Sequence, residues 1–365
     1  MPEYLRRTVP VLVISILLVA CGGNEPTATP IPPATPTTVP ANTPLPPTEV
    51  PTEAAPPAGA PSATPLPPTE MPTEAAPPTA EPSDTPLPPS PTSEPSPTAT
   101  PEPTAAATGF LLEGVGFNTP ESVLYDPQAD VYLVSNINGA PADKDGNGFI
   151  SRVSPEGQLL DLKWIDGAAE GVTLNAPKGM TLVGQALYVT DIDTVRLFHR
   201  NTGAPLATVE IEGARFLNDA AAADDWRVFV TDSALGYVYV ISPNGNAARF
   251  RDVQLKGPNG IAVVGSHIWV AVGGPVIMEL DENGIQVGEV RVPAGALDGL
   301  VLLDDGSLIV SSWQSGVVYH IDAAGQATEV ATGINGPADI GFDTTRKLVL
   351  IPHFDDNRVQ AVPLP

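Results

Sequence analysis

PNGIAVVGSHIWVAVGGPVIMELDENGIQVGEVRV, residues 258–292, is the stretch whose reading decides the fold. After the turn-forming Pro258-Asn259-Gly260 come four short apolar or alternating runs, separated by Gly, Ser, Asp and Asn. They predict a first strand opening at Ile261-Ala262 and further strands at Ile268–Ala271, Val276–Leu280 and Gln286–Val292, with the ENG turn at 282–284 closing a tight hairpin. The same opening unit recurs elsewhere, as Pro120-Glu121-Ser122, Pro177-Lys178-Gly179, Leu217-Asn218-Asp219, Leu297-Asp298-Gly299 and Pro337-Ala338-Asp339. Counted at the second residue of each unit, the intervals are 57, 40, 41, 39 and 40. Four strands per forty residues is the arithmetic of a β-propeller blade, and six repeats predict six blades. The one long interval contains an insertion at 138–148.

The last repeat has room for only three strands before Pro365, and the run Phe110–Val115 is placed to supply the fourth. Such closure joins the two ends of the domain and removes an exposed sheet edge. No segment sustains a helical apolar period, which excludes an α/β barrel. A β-sandwich leaves the forty-residue period unexplained. The fold expectation is therefore all-β, a six-bladed propeller over residues 109–365.

Upstream the composition changes sharply. Residues 22–108 hold 28 of the 44 prolines and no Lys, Arg or aromatic residue. Such a segment cannot bury enough apolar surface to offset its chain entropy. It contains a 21-residue repeat, with TPLPP opening at Thr43, Thr64 and Thr85. In polyproline II geometry, at roughly 3.1 Å per residue, it would reach on the order of 200 Å or more. Residues 1–20 read as an export signal, in which Arg6 and Arg7 precede an apolar run too short to span a bilayer. The run ends in Leu18-Val19-Ala20-Cys21, which resembles the lipobox of bacterial lipoproteins. That resemblance implies cleavage before Cys21 and lipidation of it, so residues 21–108 become an anchored linker in the cell envelope. The plainer alternative is an ordinary signal peptide with a chance cysteine.

Charge and cysteine usage narrow the function. Of the formal net charge of −25, about −17 falls on residues 109–365. Phosphate binding wants a basic face, so nucleic acid is excluded as a partner. A single cysteine allows no internal disulfide, zinc ribbon or CxxC pair. The expected partner is a small molecule, the contact with the membrane is through the lipid anchor alone, and the chain is expected to be monomeric.

The first strand of a propeller blade lines the central channel, so equivalent positions form a ring around the axis. Here the ring reads Glu121, Lys178, Asn218, Asn259, Asp298 and Ala338. Glu121, Asn218, Asn259 and Asp298 carry hard oxygen donors. They suit Ca2+ first, with Zn2+, Mn2+ or Mg2+ as other choices. The alternative is that each side chain caps its strand or bonds nearby backbone.

With those motifs in view, the domain resembles the gluconolactonase family, which includes regucalcin and the luciferin-regenerating enzyme. The resemblance rests on TPESVLYD around Glu121, RFLND around Asn218, PNGIAV around Asn259 and LDGLVLLDDGSLIV around Asp298. It implies a six-bladed propeller with one divalent cation held by Glu121, Asn218, Asn259 and Asp298, with Asp298 also serving as catalytic base. In two places this chain departs from the pattern. Lys178 puts a cation beside the metal position, where it would oppose binding or steady an oxyanion during catalysis. Leu217 is inserted in the RF segment, which displaces Arg215 from the place where the family holds a sugar-acid ligand. The function expected from this likeness is metal-dependent hydrolysis of a lactone or related ester. The rival is a non-catalytic propeller that binds a ligand or protein.

Further signals carry less. Asp143, Asp145 and Asn147 match the first positions of a calmodulin-type calcium loop, but Ser154 stands where a bidentate glutamate belongs. The alternatives are a weak calcium loop or an acidic hairpin tip. His353 follows the second strand of the sixth repeat and is a candidate for substrate binding or proton transfer. Asp191 and Asp232 end second strands in TD pairs and read as turn and inter-blade hydrogen bonders. Trp164, Trp226, Trp269 and Trp313 read as blade packing.

Overall fold

The structure, a computed structural model, describes residues 108–365. The export signal, Cys21 and the linker up to residue 107 lie outside the described residues. What is described is all-β, six antiparallel sheets of four strands each, with no helix among the described residues. Blade one runs Pro120–Asp126, Val131–Asn136, Phe149–Val153 and Leu159–Asp166, in that order from axis to rim. Blades two to five repeat this plan from inner strands at Pro177–Val183, Leu217–Ala222, Ile261–Val264 and Leu297–Leu302. Blade six consists of Gly341–Asp343, Leu348–His353 and Arg358–Pro363, and Phe110–Leu112 completes it at the rim. There Phe110 pairs with Ala361 and Leu112 with Val359, so the two ends of the domain close one sheet as expected.

Burial explains which strands were easy to read. Every residue of the second strands Val131–Asn136 and Leu348–His353 is buried between neighbouring blades. Their β-branched and aromatic side chains form the inter-blade cores, such as Tyr132 and Val134 against Leu350 and Val359. Removing this much apolar surface from water is what holds adjacent blades together. The outer strands are mostly exposed, Pro205–Glu210 burying only Val209, so they keep little apolar signal. The tryptophans divide. Trp164 and Trp269 pack against inter-blade cores. Trp226 does not, for it sits on a hairpin turn at φ 71° and is 62% exposed. Trp313 is also partly exposed and meets Phe354 edge-on.

Two features at the start of the inner strands position the centre of the molecule. First, the pairing of inner and second strands slips there in four blades, between Pro120 and Ser122, Pro177 and Met180, Leu217 and Ala220, and Leu297 and Leu300. A bulge re-aims the side chains it contains. The bulges fall on Glu121, Lys178, Asn218 and Asp298. Secondly, neighbouring inner strands touch through their backbones one residue later. Gly260 N–H donates to Asp298 O at 2.8 Å, and Asp339 N–H donates to Glu121 O at 2.9 Å. A Cβ on Gly260 would lie 2.2 Å from Asp298 O, and one on Gly299 would lie 2.2 Å from Ile340 N. Only glycine permits that approach between neighbouring inner strands.

Candidate functional site

Second-strand hydroxyls hold every bulge, and in three blades they also tie it to the next blade. Thr231 Oγ1 accepts from Asp219 N–H at 3.0 Å and donates to Asn259 O at 2.9 Å. Ser311 Oγ accepts from Gly299 N–H at 2.8 Å and donates to Ala338 O at 2.8 Å. Thr190 Oγ1 donates to Asn218 O at 2.5 Å, and Ser135 Oγ accepts from Ser122 N–H at 2.9 Å. One residue further along, Asp191 and Asp232 gather the lead-in loops of their own blades. Asp191 accepts from Asn175 N–H and Ala176 N–H, and Asp232 from Arg215 N–H and Phe216 N–H. The TD aspartates are therefore backbone fasteners within their own blades; Asp232 also holds its own turn at Ala234 and Leu235, while the inter-blade bonds expected of these aspartates are not found for their side chains among the described residues. The loops and bulges they hold carry the axial side chains.

The fastened ring presents oxygens with nothing to bond. Glu121 Oε2, Asn218 Oδ1, Asn259 Oδ1 and Asp298 Oδ1 are all buried and unpartnered. Such atoms are rare in folded proteins and costly without a ligand or ion. The amides are turned so that their oxygens are the free ends. Asn218 Nδ2 donates to Ser233 Oγ at 3.1 Å, and Ser233 Oγ donates onward to Pro258 O at 2.6 Å. The Asn259 amide acts on the Asp298 carboxyl and stabilises its anion. Two carboxylates and two amide oxygens make a hard donor set, which fits a divalent cation. Among the described residues, no three His, Cys, Asp or Glu side chains group as metal ligands by themselves. In this ring the two asparagines supply half of the donors.

Electrostatics point the same way. Burial, followed by the charges of Asp298 and Asp339, pushes the Glu121 carboxyl well above the usual range, while Lys178 opposes the shift. Asp298 is pushed up to about 8 by burial and by Asp339, against the Asn259 contact. Burial likewise takes Asp339 to about 7, against hydrogen bonds with Ser122 and Asp219. Asp219 is raised by burial, then by Asp339, Glu121 and Asp298. Four acids confined around one axis disfavour one another's ionised forms, and a cation relieves all of them.

The remaining candidates are placed as follows. Lys178 is 1% exposed, and its Nζ donates to Pro141 O at 2.9 Å and Ala176 O at 3.1 Å, 4.5 Å from the Phe216 ring centroid. It thus clips the blade-one insertion to the mouth of the channel. Burial lowers its pKa, with Glu121 and Asp191 opposing. Arg215 is an exposed lead-in residue whose backbone N–H is held by Asp232, and Phe216 rather than Arg215 meets Lys178. His353 is buried, its Nε2 3.1 Å from Gln360 Oε1 and its Nδ1 unpartnered. Burial lowers its pKa and favours the neutral ring. In the insertion, Asn147 Nδ2 donates to Asp145 Oδ2 at 2.6 Å, while Lys144 pairs with Asp193 at 2.5 Å. Asp143 is exposed at the same tip.

Two acids of the centre were not singled out in the sequence. Asp219 and Asp339 sit one residue beyond the ring, in the column Ser122, Gly179, Asp219, Gly260, Gly299 and Asp339. Reading the next position of the same repeat would have found them.

No family sequence model matches this chain, and no curated protein sequence does. Solved structures do. One is a gluconolactonase from Xanthomonas campestris, at 20% identity over 70% of this chain and 89% of that one, TM-score 0.53. A streptogramin B lyase matches at 12% identity over 70% and 98%, TM-score 0.53. An auxiliary nutrient binding protein from Bacteroides ovatus matches at 15% identity over 67% and 69%, TM-score 0.53. At these identities the likeness is one of fold, a gluconolactonase-like six-bladed propeller.

Proposed function

We propose that this protein is a divalent-metal-dependent hydrolase of a lactone or related ester, tethered to the cell envelope through a lipidated Cys21 and acting as a monomer. The observation that carries the reading is the set of buried, unpartnered oxygens on Glu121, Asn218, Asn259 and Asp298 at one repeat phase. These four residues would hold the ion, Ca2+ by the hardness of the set. A bound divalent cation supplies carbonyl polarisation and a more acidic water. Asp298 would take the proton of the attacking water at its carboxylate, which the cation and the Asn259 contact keep ionised. His353, neutral and with Nδ1 free, offers a second proton acceptor beside the sixth blade's inner strand.

A second reading, a non-catalytic propeller that binds a ligand or protein, is favoured by one observation. Lys178 buries an ammonium close enough to Glu121 to act on its ionisation. That charge opposes a divalent ion. Its two carbonyl bonds assign it to holding the insertion, which argues against a free oxyanion-stabilising role. The deciding experiment is metal analysis of the purified full chain, followed by a lactone panel with and without chelator. One divalent ion per chain and chelator-sensitive hydrolysis, lost in Asp298→Ala, are expected. A metal-free and lactone-inert protein would sink the enzyme reading in favour of the binding one.

A further inference from the structure

The residue that follows each second strand recurs at one phase, as Ile137, Ile192, Ser233, Gly273, Trp313 and Phe354 in blades one to six. In four blades its N–H donates to the carbonyl two residues before the ring position. Ile137 bonds Thr119 O at 3.0 Å, Ser233 bonds Phe216 O at 3.0 Å, and Trp313 and Phe354 bond Ala296 O and Gly336 O at 2.9 Å. The column therefore forms a layer against the oxygen ring, and Ser233 Oγ accepts from the ring amide of Asn218 at 3.1 Å. Turn positions favour small or polar residues. Here four consecutive blades, five, six, one and two, carry large apolar ones, and these join. The Trp313 and Phe354 rings meet edge-on, centroids 5.0 Å apart and planes at 68°. Phe354 packs against the buried cluster of Ile137, Ala176 and Ile192. Ile192 takes its place there at φ 61°, a left-handed backbone that is unfavourable for a β-branched side chain.

Ile137 and Ile192 are buried and back this crescent, whereas Phe354 is half-buried and Trp313 is 37% exposed. The surface left open is aromatic. Polar side chains around it are already engaged. Ser312 Oγ donates to Gly295 O at 2.8 Å, Asn335 Nδ2 donates to Asp356 Oδ1 at 3.3 Å, and Lys178 holds its two carbonyls. Over blades three and four the layer is thin, for Ser233 and Gly273 are its smallest members. Of the four oxygen-bearing residues of the ring, Asn259 alone is not fully buried, and it belongs to the blade of Gly273.

We propose that the ring's ligand is a small cyclic carbonyl compound with an aromatic body. It enters over blade four, turns its carbonyl to the ring and seats its body in the corner between Trp313 and Phe354. This rests on the ring being the reaction site, and it narrows the substrate class to a lactone that bears or is fused to an aromatic ring. Such a body removes apolar area from water against two aromatic walls and adds ring-to-ring contact. A polyhydroxylated body there would bury hydroxyls beside hydrocarbon, which is unfavourable for each one left without a partner.

The test is calorimetric titration of the full chain, in saturating Ca2+, with dihydroquinolinone, piperidinone and gluconolactam. These share a six-membered lactam and resist hydrolysis, so binding is read without turnover. Dihydroquinolinone is expected to bind one to one, about tenfold or more tighter than piperidinone, with gluconolactam no tighter than piperidinone. Trp313→Ala is expected to cut that preference about fivefold or more, and Trp313→Phe to restore most of it. Should Trp313→Ala fail to fold, Phe354→Leu, which keeps an apolar contact with the cluster behind it, makes the same test. Equal affinity for dihydroquinolinone and piperidinone, a preference that survives Trp313→Ala, tighter binding of gluconolactam, or no saturable binding overturns the proposal. Hydrolysis of dihydrocoumarin and gluconolactone is measured in parallel. The expected lactam order without hydrolysis of either lactone sustains the aromatic site and sinks the hydrolase reading alone. Chelator-sensitive hydrolysis of gluconolactone with no preference among the lactams sustains the hydrolase and overturns the aromatic site.

Discussion

The belt of second-strand hydroxyls makes its strongest prediction at Thr231. Its Oγ1 serves two backbone groups in different blades, the Asp219 N–H at 3.0 Å and the Asn259 carbonyl at 2.9 Å. The residue is fully buried, and water has no access to replace it. Thr231→Val keeps the shape and removes the hydroxyl, so neither a cavity nor a clash confuses the result. Two buried backbone groups are left without partners, each costing about 1–3 kcal/mol. The loss of stability should therefore be about 2–6 kcal/mol. Thr231→Ser keeps both hydrogen bonds and loses one methyl, at roughly 1 kcal/mol. Urea unfolding of the two variants and the parent, at equal slope, reads the difference as a midpoint shift. The same titration belongs with Ca2+, because this hydroxyl bonds the backbone of Asn259 and of Asp219, the residue that follows Asn218. Thr231→Val should weaken Ca2+ binding, and Thr231→Ser should not. Equal midpoints for Val and Ser, or a Val variant as stable as the parent, would show that the belt does not organise the ring.

Three further expectations concern the charges and the anchor. In chelated protein, Asp298 and Asp339 have folded pKa values raised to about 8 and about 7. The folded state then binds more protons than the unfolded chain, so stability falls as pH rises from about 4 to about 8, by up to about 1.4 kcal/mol per pH unit for each such carboxyl. Saturating Ca2+ should flatten that slope and Ca2+ affinity should rise with pH; a chelated protein equally stable at both ends of the window refutes the charge model. Lys178→Met removes the ammonium near Glu121 and the clip on Pro141, so it should tighten Ca2+ binding while making residues 140–147 more sensitive to protease. Unchanged affinity together with unchanged cleavage would deny both roles. Cys21→Ser should move the protein from the membrane to the soluble fraction of cells, and retention in the membrane would refute the lipid anchor.

The blades were legible because burial repeats every forty residues. Wherever a strand is packed on both faces, as in Tyr132-Leu133-Val134 or Leu348–Ile351, the chain spells it in Val, Ile, Leu and Tyr. The ring at Glu121, Asn218, Asn259 and Asp298 was legible for the same reason, since an axial position recurs at the same phase. Lys178 was legible as an intruder but not as a clip. Its partners are the carbonyls of Pro141 and Ala176, and backbone acceptors leave no mark in side-chain chemistry. Trp226 was misjudged because an exposed turn and a packed strand can carry the same aromatic residue.

The least legible part of the centre has the sharpest physical cause. One residue beyond the ring, three of the six blades carry glycine, at Gly179, Gly260 and Gly299. In sequence these glycines are only the third residue of the recurring unit, with no side chain to mark a role. In the structure they are the places where backbones of adjacent blades come within hydrogen-bonding distance, and a Cβ would collide with a carbonyl or an amide. The close approach they permit draws the neighbouring inner strands together just beyond the ring. Asp219 and Asp339 stand at the same level, electrostatically coupled to Glu121 and Asp298 and lining the cavity that continues along the inner strands. The same repeat phase thus places two successive layers of polar side chains about the axis, one from the residues at the bulge and one from those that follow it. A chain with alanines in place of these glycines would keep every ligand candidate and still lose the strand contacts that set them in place.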